Sequence, residues 1–426
     1  GKIIKMVNKK RHLRKTIKYA LIGLSGLLLV GIIVFILNFN FKFVGKKSIH
    51  DDALTYKTKS CLAFYPNSEK GKDIAKNICD KALKDTIYDY ALVPYGDYYL
   101  VSYHDGTKYY VDKEYKELVI DNINEEGKKI IADYLRYQLK KEEKDFAYTL
   151  EFLEESFYQN LDLSEVTYKV DGPDLLCHFP KYEADIRVPL KYMQSACNIN
   201  LGYENELYHK PHYISKDRKM ICFTFDDGPD MSLKTSGQIV DTLYKYDSSA
   251  TFYILGSRLG EKQIKFCKES VEKGMEYGSH TQSHKNLTKL SVSDASSEIM
   301  TPYHDLYDNE FGFGYQMKTF RPPYGAYSDT VRQATNLTAV LWNVDSKDWS
   351  YRTKYDASDA VDVIYNEVIK DGDENDVVLF HDIYQTSVDA ASKLITYYIN
   401  QGYQIVNVSE LMEVLGVTGA SYFSGK

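Results

Sequence analysis

Short apolar runs alternate with segments of helical period over residues 213–415, and few folds accommodate such a chain. Between the runs, apolar side chains recur at helical spacing, as at Ile239, Val240 and Leu243. Alternation of this kind is typical of a parallel sheet whose strands are joined by crossover helices. We therefore predict an α/β fold, either a doubly wound sheet or a barrel. The predicted strands are 220–225, 250–255, 274–278, 319–321, 339–344, 377–380 and 404–408.

Polar side chains follow several of these strands at the point where each strand should end. Asp226 and Asp227 come directly after the first run, where neighbouring carboxylates destabilise each other unless a cation compensates them. Because the carboxyl ends of parallel strands converge in α/β folds, we expect these distant residues to meet in one site. The others that follow strands are His280, Arg321, Asp345 with Asp348, and His381.

His280 and His284 stand at positions i and i+4, close enough to chelate one metal ion in a helix or a tight turn. A zinc protease would need a glutamate after the first histidine, but position 281 is threonine, which argues against that class of enzyme. With Asp227 the histidines form a set of two imidazoles and one carboxylate. Such a set leaves coordination positions open for water and substrate.

Arg321 precedes two consecutive prolines, which fix the backbone at the end of a predicted strand. Its guanidinium could hold Asp226 ionised and oriented, and a backbone N–H after the prolines could donate to an oxyanion. A rigid loop with a surface arginine is the alternative on this segment alone. A carboxylate beside His381 would raise the pKa of the imidazole and keep it protonated as a general acid.

The amino-terminal part of the chain combines a basic tail, residues 1–18, with an uncharged and mostly apolar stretch at 19–41. At about 1.5 Å per residue, this stretch can cross the roughly 30 Å hydrocarbon layer of a membrane. A cleaved signal peptide is the alternative, but no pair of small residues stands at the usual cleavage spacing. Since basic residues stay on the cytoplasmic side, we predict a single-pass anchor in the cell membrane with the remaining chain outside.

Residues 46–205 have the pattern of a small extracellular α+β domain. Two hairpins are predicted around 104–106 and 171–172, where Asp-Gly suits a tight turn, and residues 130–139 follow helical spacing between them. A polar stretch at 204–219 is the predicted linker to a C-terminal domain that we place at 206–426. The net charge of −7, with both signs mixed, argues against a dedicated nucleic-acid binder.

The cysteines follow the predicted membrane segment, and none forms a Cys-x-x-Cys pair, so a structural zinc site is not expected. Cys222, in the first apolar run, and Cys267, at helical spacing, are predicted to be small core residues. An oxidising compartment permits disulfides. Two pairings are therefore open, Cys61 with Cys79 and Cys177 with Cys197.

Five segments of the predicted C-terminal domain resemble, in order, the motifs of the polysaccharide deacetylase family, also known as the NodB homology domain or carbohydrate esterase family 4. They are TFDDGP at 224–229, HTQSH at 280–284, RPPYG at 321–325, DSKDW at 345–349 and LFHD at 379–382. The resemblance covers roughly residues 213–415 and implies a distorted (β/α) barrel with fewer than eight repeats. The plan of tail, membrane helix, intermediate domain and C-terminal catalytic domain is similar to that of membrane-anchored peptidoglycan N-acetylglucosamine deacetylases of Gram-positive bacteria.

The resemblance implies a role for each motif residue. Asp226 would be the general base, oriented by Arg321. His381 would be the general acid, tuned by Asp348. One divalent metal ion, usually zinc although other divalent metals stay open, would be held by Asp227, His280 and His284. The oxyanion and the acetyl group would meet the backbone N–H of Tyr324 and the side chains of Trp349 and Leu379.

The implied activity is metal-dependent hydrolysis of the N-acetyl group of N-acetylglucosamine in peptidoglycan, at the cell surface, with release of acetate. Other acetylated glycans are open as alternatives, namely poly-N-acetylglucosamine, chitin oligomers, N-acetylmuramic acid and acetylxylan. An inactive wall-binding protein is a further alternative. It would be expected to lack a metal ligand or the acid, whereas this chain has all of them. The expected partners are thus a cell-wall glycan and the membrane, and the sequence leaves the oligomeric state open.

Overall fold

The computed structural model describes residues 53–57, 62–66, 72–73, 75–76, 80, 90–103, 108–112, 116–142, 161–204, 206–417 and 419–425. The predicted membrane anchor at 19–41, its basic tail, and the pair Cys61 and Cys79 lie outside these residues. Within the described ranges, no helix has both the length and the apolar character needed to cross a bilayer. The chain divides into two compact units. One contains Glu165–Glu206 and the chain up to Lys128, and the other contains Lys129–Ser164 and Leu207–Lys426.

The first unit is built from antiparallel strands. The pairs β4–β5 and β6–β7 confirm the two hairpins predicted from the sequence. Helix α1 (Glu125–Glu142) contains the predicted helical segment 130–139 and continues into the second unit at Lys129. A short helix, α2 (Leu190–Met193), follows the last strand. The strands are β1 (Ala53–Lys57), β2 (Leu62–Pro66), β3 (Tyr90–Tyr95), β4 (Tyr98–Tyr103), β5 (Lys108–Val111), β6 (Thr167–Asp171), β7 (Asp174–Phe179) and β8 (Ala184–Pro189).

The four described cysteines carry free thiols. Cys177 and Cys197, which the sequence left open as a pair, are therefore not bonded to each other in this structure. Burial raises the pKa of Cys177 to about 12 and that of Cys197 to about 11. Cys222 and Cys267 are fully buried, which confirms their prediction as core residues.

The second unit is organised around a parallel sheet, which contains nine strands among the described residues. The strand order is β14-β15-β9-β10-β11-β12-β13-β17, and β16 pairs with the beginning of β9. Most of the strands predicted from the apolar runs are present within a few residues of their expected bounds. They are β9 (Met220–Gly228), β10 (Thr251–Ile254), β11 (Glu276–Ser279), β12 (Thr319–Phe320), β13 (Thr338–Val340), β14 (Val344–Asp345), β15 (Val377–His381), β16 (Gln404–Val406) and β17 (Tyr422–Phe423).

The predicted single strand at 339–344 is wrong, because the chain changes its pairing partner within that segment. Leu341 N–H donates to the carbonyl of Phe423, whereas Asn343 N–H donates to the carbonyl of Val377. Strands β13 and β14 thus lie six steps apart in the strand order, although only residues 341–343, which we term the seam, connect them. This connection reaches at most about 14 Å, while six flat interstrand steps would cover about 29 Å. The sheet therefore curls on itself, which agrees with a distorted barrel and not with an open doubly wound sheet.

Strand β9 lies in the middle of the sheet and is buried on both faces. Phe223 and Phe225 pack on Phe380 of β15, with ring centroids 5.2 Å and 5.5 Å apart. The alternate residues Met220 and Cys222 belong to a second apolar cluster on the other face. Burial on both faces explains why the run at 220–225 is almost continuously apolar, and it gives the acidic residues that follow a rigid support.

Helices follow most strands of this unit and cover the sheet with their apolar stripes. Buried side chains on the longest of them, such as Ile364, Val368, Leu394 and Ile395, join the same core cluster as Phe223. The helices are α3 (Lys234–Lys245), α4 (Glu261–Glu272), α5 (Val292–Tyr307), α6 (Asp329–Gln333), α7 (Asp348–Lys354), α8 (Ala357–Asp371), α9 (Gln385–Asn400) and α10 (Val408–Val414).

Candidate active site

The polar residues that follow the strands meet at one end of the curled sheet. In the pairing of β15 with β9, His381 lies opposite Asp226. The side chains of Asp226 and His280 approach each other, with Oδ2 and Nε2 3.6 Å apart. Arg321 bonds to Asp226, and Asp348 bonds to His381. The prediction that distant strand ends converge is thus confirmed for these five residues.

Asp227, His280 and His284 each offer one ligand atom, and these atoms lie within 4.8 Å of one another. Oδ1 of Asp227 is 3.5 Å from Nε2 of His280 and 3.5 Å from Nε2 of His284. Ligands held tetrahedrally at about 2.0–2.2 Å from an ion are roughly 3.3–3.6 Å apart, so the spacing fits a small divalent cation. Among the described residues, this buried Oδ1 has no hydrogen-bond partner, which a carboxylate avoids unless a cation compensates it.

A hydrogen bond orients the ring of His280, and the surroundings of His284 favour its neutral form. Nδ1 of His280 lies 2.8 Å from the carbonyl oxygen of Arg321. Because a carbonyl only accepts hydrogen bonds, Nδ1 carries a proton, which leaves Nε2 as the ring nitrogen that can bind a metal ion on the side of Asp227. Burial and the neighbouring His280 lower the pKa of His284, which favours the uncharged imidazole that metals bind.

The backbone of the site is strained at several positions without glycine. The φ angle is 69° at Asp227, 72° at Thr281, 56° at His284 and 62° at Tyr324. Such values are uncommon for L-residues and costly for a β-branched residue such as Thr281. The Thr281 hydroxyl accepts the N–H of His284 at 3.0 Å and so stabilises the turn. The two histidines therefore meet through a tight turn, which settles the choice between helix and turn that the sequence left open.

Glu298 of α5 anchors this turn, although it is not among the site residues predicted from the sequence. Its Oε2 accepts the N–H of Ser283 at 2.9 Å, and its Oε1 accepts the hydroxyl of Ser283 at 2.7 Å. The ammonium of Lys285 lies 2.9 Å from the same Oε1. The main-chain carbonyl of Glu298 also accepts the N–H of Gln282 at 2.8 Å. Because Glu298 is only 8% exposed, its carboxylate is largely shielded from water and holds the segment that ends in His284.

We expect Glu298→Ala to weaken metal binding about 10- to 100-fold, because residues that orient metal ligands typically contribute that much. Glu298→Gln keeps one acceptor for Ser283 and should lose less. Calorimetric titration of the metal-free proteins with zinc measures the effect. Glu269→Ala, on the exposed side of α4, is the matched control. Equal zinc affinities for the Glu298→Ala and Glu269→Ala proteins would contradict the anchoring role.

Arg321 is fully buried, so the alternative of a surface arginine is wrong. Its Nη1 donates to Oδ1 of Asp226 at 2.8 Å and to the hydroxyl of Thr224 at 2.8 Å. Nε donates to the carbonyl of Val340 at 2.9 Å, and Nη2 donates to that of Leu341 at 3.1 Å. A guanidinium fixed on several sides in this way orients the carboxylate that it touches. Asp226 therefore directs its second oxygen towards the ligand atom of His280.

His381 is buried except for a small part of its ring, and Asp348 fixes it twice. Oδ1 of Asp348 lies 2.8 Å from Nδ1 of His381, and Oδ2 accepts the main-chain N–H of His381 at 2.7 Å. Burial alone would lower the pKa of His381, but the charge and hydrogen bond of Asp348 raise it to about 9. At neutral pH the imidazole is thus protonated and can act as an acid.

We expect Asp348→Asn to move the alkaline limb of the kcat profile to lower pH. The imidazolium of His381 is present below a pKa of about 9 and is lost above it, so removing the carboxylate lowers that limit. At pH 8 the loss in kcat should be roughly ten-fold or more. NMR titration of the His381 ring measures its pKa without any assay of turnover. The His304→Gln variant identifies the signal of a surface histidine for comparison. An unchanged His381 titration in Asp348→Asn would show that Asp348 does not set it.

The predicted pocket residues differ in exposure. Leu379 is 4% exposed, whereas Tyr324 and Trp349 are 69% and 53% exposed. The ring of Tyr324 lies 4.8 Å from that of His284, so this aromatic side chain stands beside the ligand cluster at the surface. The roles of these three residues towards an oxyanion or an acetyl group stay predictions.

Asp382, next to His381, packs against the turn that follows Asp227. Burial raises the pKa of Asp382 to about 7, and Oδ2 accepts the hydroxyl of Ser236, which itself accepts the N–H of Asp230 at 2.8 Å. A Cβ at position 228 would lie 2.4 Å from Oδ1 of Asp382. Only glycine therefore fits between this carboxyl and the turn, which explains the Asp-Gly sequence at 227–228.

Comparison with known proteins agrees with this geometry. A family model described as polysaccharide deacetylase matches residues 214–340. The chain is 38% identical over 234 residues to the peptidoglycan-N-acetylmuramic acid deacetylase PdaC of Bacillus subtilis. This alignment covers 53% of this chain and 46% of that protein. It is 32% identical over 238 residues to the peptidoglycan-N-acetylglucosamine deacetylase PgdA of Listeria monocytogenes, which covers 56% of this chain and 48% of that protein.

A peptidoglycan-N-acetylglucosamine deacetylase of Bacillus cereus is 32% identical over 210 residues, which cover 47% of this chain and 91% of that protein. The solved structure of PdaC is 36% identical and covers 48% of this chain and 94% of that chain, with a TM-score of 0.42. The chain spans about half the length of the first two relatives. The nearly complete match to the Bacillus cereus relative shows that the chain belongs to the polysaccharide deacetylase family.

Proposed function

We propose that the protein removes the acetyl group from N-acetylglucosamine residues of peptidoglycan by hydrolysis, at the cell surface, and releases acetate. The observation that carries this proposal is the arrangement of three candidate metal ligands next to a fixed carboxylate and a protonated imidazole. The carboxylate is Asp226, held by Arg321, and the imidazole is His381, held by Asp348. The names of the relatives support peptidoglycan as the substrate.

Asp226 is suited to be the general base. Its Oδ1 is occupied by Arg321, and its Oδ2 stays free beside the ligand atom of His280, 3.6 Å away. It can accept a proton from a water molecule at that position as the water oxygen bonds to the amide carbon. An ion bound by Asp227, His280 and His284 supplies the Lewis acidity that polarises the amide carbonyl and makes the attacking water more acidic.

His381 is suited to be the general acid. An amine is a poor leaving group unless its nitrogen is protonated as the C–N bond breaks. The imidazolium of His381 can give that proton from Nε2, because Nδ1 is occupied by Asp348. The products are then acetate and a free amino group on the sugar, and the proton taken up by Asp226 restores His381 after product release.

Acetate release from N-acetylated glycans by the purified full chain, supplied with zinc, tests the proposal. Mass spectrometry of muropeptides from cells with and without the gene should show the loss of acetyl groups from N-acetylglucosamine only when the gene is present. If no N-acetylated polymer yields acetate, and Asp226→Asn behaves like the parent, the proposal fails.

Deacetylation of N-acetylmuramic acid is the second candidate, because the relative with 38% identity is named for that sugar. The two sugars differ by the lactyl ether of the muramyl residue, so fragment masses assign the lost acetyl group to one or the other.

We also propose that residues 19–41 anchor the protein in the cell membrane with the second unit outside. Protease accessibility of the second unit on intact cells tests that orientation.

A further inference from the structure

A groove of about 600 Å³ opens beside the candidate metal ligands, on the side of His284. Its wall contains two lysines, one aromatic ring and no acidic residue. This side of the site is therefore positively charged, whereas a neutral glycan would offer nothing that requires a cation. The lining residues are His284, Lys285, Asn286, Lys289, Leu290 and Tyr324.

The two lysines differ in how far their charge is compensated. The ammonium of Lys285 lies 2.9 Å from Oε1 of Glu298, which already holds the neighbouring turn. Lys289 is exposed and makes no ion pair with the described part of the chain. Its position is nevertheless defined, since Leu287 of the same short 3₁₀ turn is fully buried and Asn286 caps that turn. The backbone of Lys289 is thus fixed, and its ammonium has no ion-pair partner among the described residues.

A second cation without an ion-pair partner among the described residues lies near His381. The guanidinium of Arg352 stacks on the ring of Tyr384 at 4.0 Å, and this ring lies 6.0 Å from that of His381. Arg352 has no carboxylate partner among the residues that the structure describes. Of the two acidic side chains nearest in sequence, Asp348 and Asp356, the former bonds instead to His381. One cation thus lies near His284 and another near His381.

We propose that the groove beside His284 is a subsite for a carboxylate of the glycan, with Lys289 as the residue that determines this specificity. The inference rests on the proposed function and narrows its substrate. Peptidoglycan carries a lactyl group on every second sugar, which ends in a carboxylate or continues into an acidic peptide. Chitin oligomers, poly-N-acetylglucosamine and acetylxylan have no such acid. Lys289, with Arg352 near His381, thus favours a strand that presents carboxylates at a regular interval.

Steady-state kinetics with two probes test the subsite. One probe is the neutral hexamer of N-acetylglucosamine, and the other is peptidoglycan strands stripped of their peptides, which keep free lactyl carboxylates. Lys289→Ala should raise KM for the stripped strands about five-fold relative to the hexamer, as expected for one partly exposed charge pair, with kcat unchanged. Lys289→Arg should restore the low KM. Added salt should raise the KM of the parent for the stripped strands only.

Lys268→Ala, on the exposed side of α4, is the matched control and should leave both KM values as they are. If Lys289→Ala changes the two KM values by the same factor, or changes neither, the subsite is refuted. That outcome would leave the proposed function intact, because the hexamer would still be deacetylated. Failure of the parent protein to act on either probe would instead refute the proposed function itself.

Discussion

Asp226→Asn is expected to keep metal binding and to lower kcat by about 100- to 10,000-fold, the usual contribution of a general base. The substitution keeps the shape of the side chain and an oxygen that accepts the hydrogen bond of Arg321. It removes only the oxygen beside His280 that could take a proton. Zinc content by mass spectrometry of the protein and acetate release from N-acetylglucosamine oligomers, measured on the same preparation, check both halves.

The control for this substitution must exclude unfolding, because Arg321 is fully buried and Asp226 is its anionic partner. Removing one charge of a buried pair commonly costs about 3–5 kcal/mol. Thermal unfolding of the variant should therefore be recorded before its kinetics. A folded Asp226→Asn protein that has lost its zinc would show that Asp226 is a ligand and that the two neighbouring aspartates have been assigned the wrong way round.

Asp227→Ala is expected to abolish metal binding at micromolar concentrations and, with it, turnover. Its Oδ1 lies 3.5 Å from the ligand nitrogens of both histidines, and no protein group compensates this oxygen among the described residues. Since residues behind metal ligands already contribute about 10- to 100-fold in affinity, loss of a ligand should exceed 100-fold. Calorimetric titration with zinc measures the loss without any assay of activity.

The same titration on Asp230→Ala provides the comparison, because this acid follows in the same segment but bonds only to neighbouring polar groups. A further check is structural. Without metal, removal of a buried and uncompensated carboxylate should leave the metal-free protein as stable as the parent, or more stable. Zinc affinity of Asp227→Ala equal to that of Asp230→Ala would mean that the ion binds elsewhere.

Much of the fold could be predicted because the relevant signals are local. The apolar run before Asp226 is buried on both faces of the sheet, so its composition alone marks a strand. Residues such as His280 and Arg321 follow strands, and parallel strands bring their carboxyl ends together whatever the exact order. This topological rule explains why the candidate ligands and the residues around Asp226 were found without coordinates.

The parts that could not be predicted depend on contacts distant in sequence. The segment 339–344 reads as one apolar run interrupted only by Asn343, and the competing carbonyls of Phe423 and Val377 divide it into two strands. Glu298 is invisible for a related reason, since a glutamate is a common helix residue. Its one local signal is its place on the buried stripe of α5 between Ala295 and Ile299, where an acid needs partners.

Backbone strain was equally out of reach of the sequence. Thr281 and His284 have positive φ angles that their residue types disfavour, and propensity alone would place neither in that conformation. The turn exists because Glu298 holds it from outside and the Thr281 hydroxyl closes it from within. Prediction from local sequence patterns fails at the functional site because surrounding contacts impose a strained backbone there.

The two hydrogen bonds that Arg321 gives to Val340 and Leu341 reach the start of the seam. If the seam opened, the buried guanidinium would lose these acceptors and could no longer fix Asp226. Closure of the curled sheet and the orientation of Asp226 are therefore kept or lost together. A ligand that binds only the ordered site therefore also opposes opening of the seam. Its binding should slow amide hydrogen exchange at residues 340–343, so this exchange rate reports whether the site is occupied.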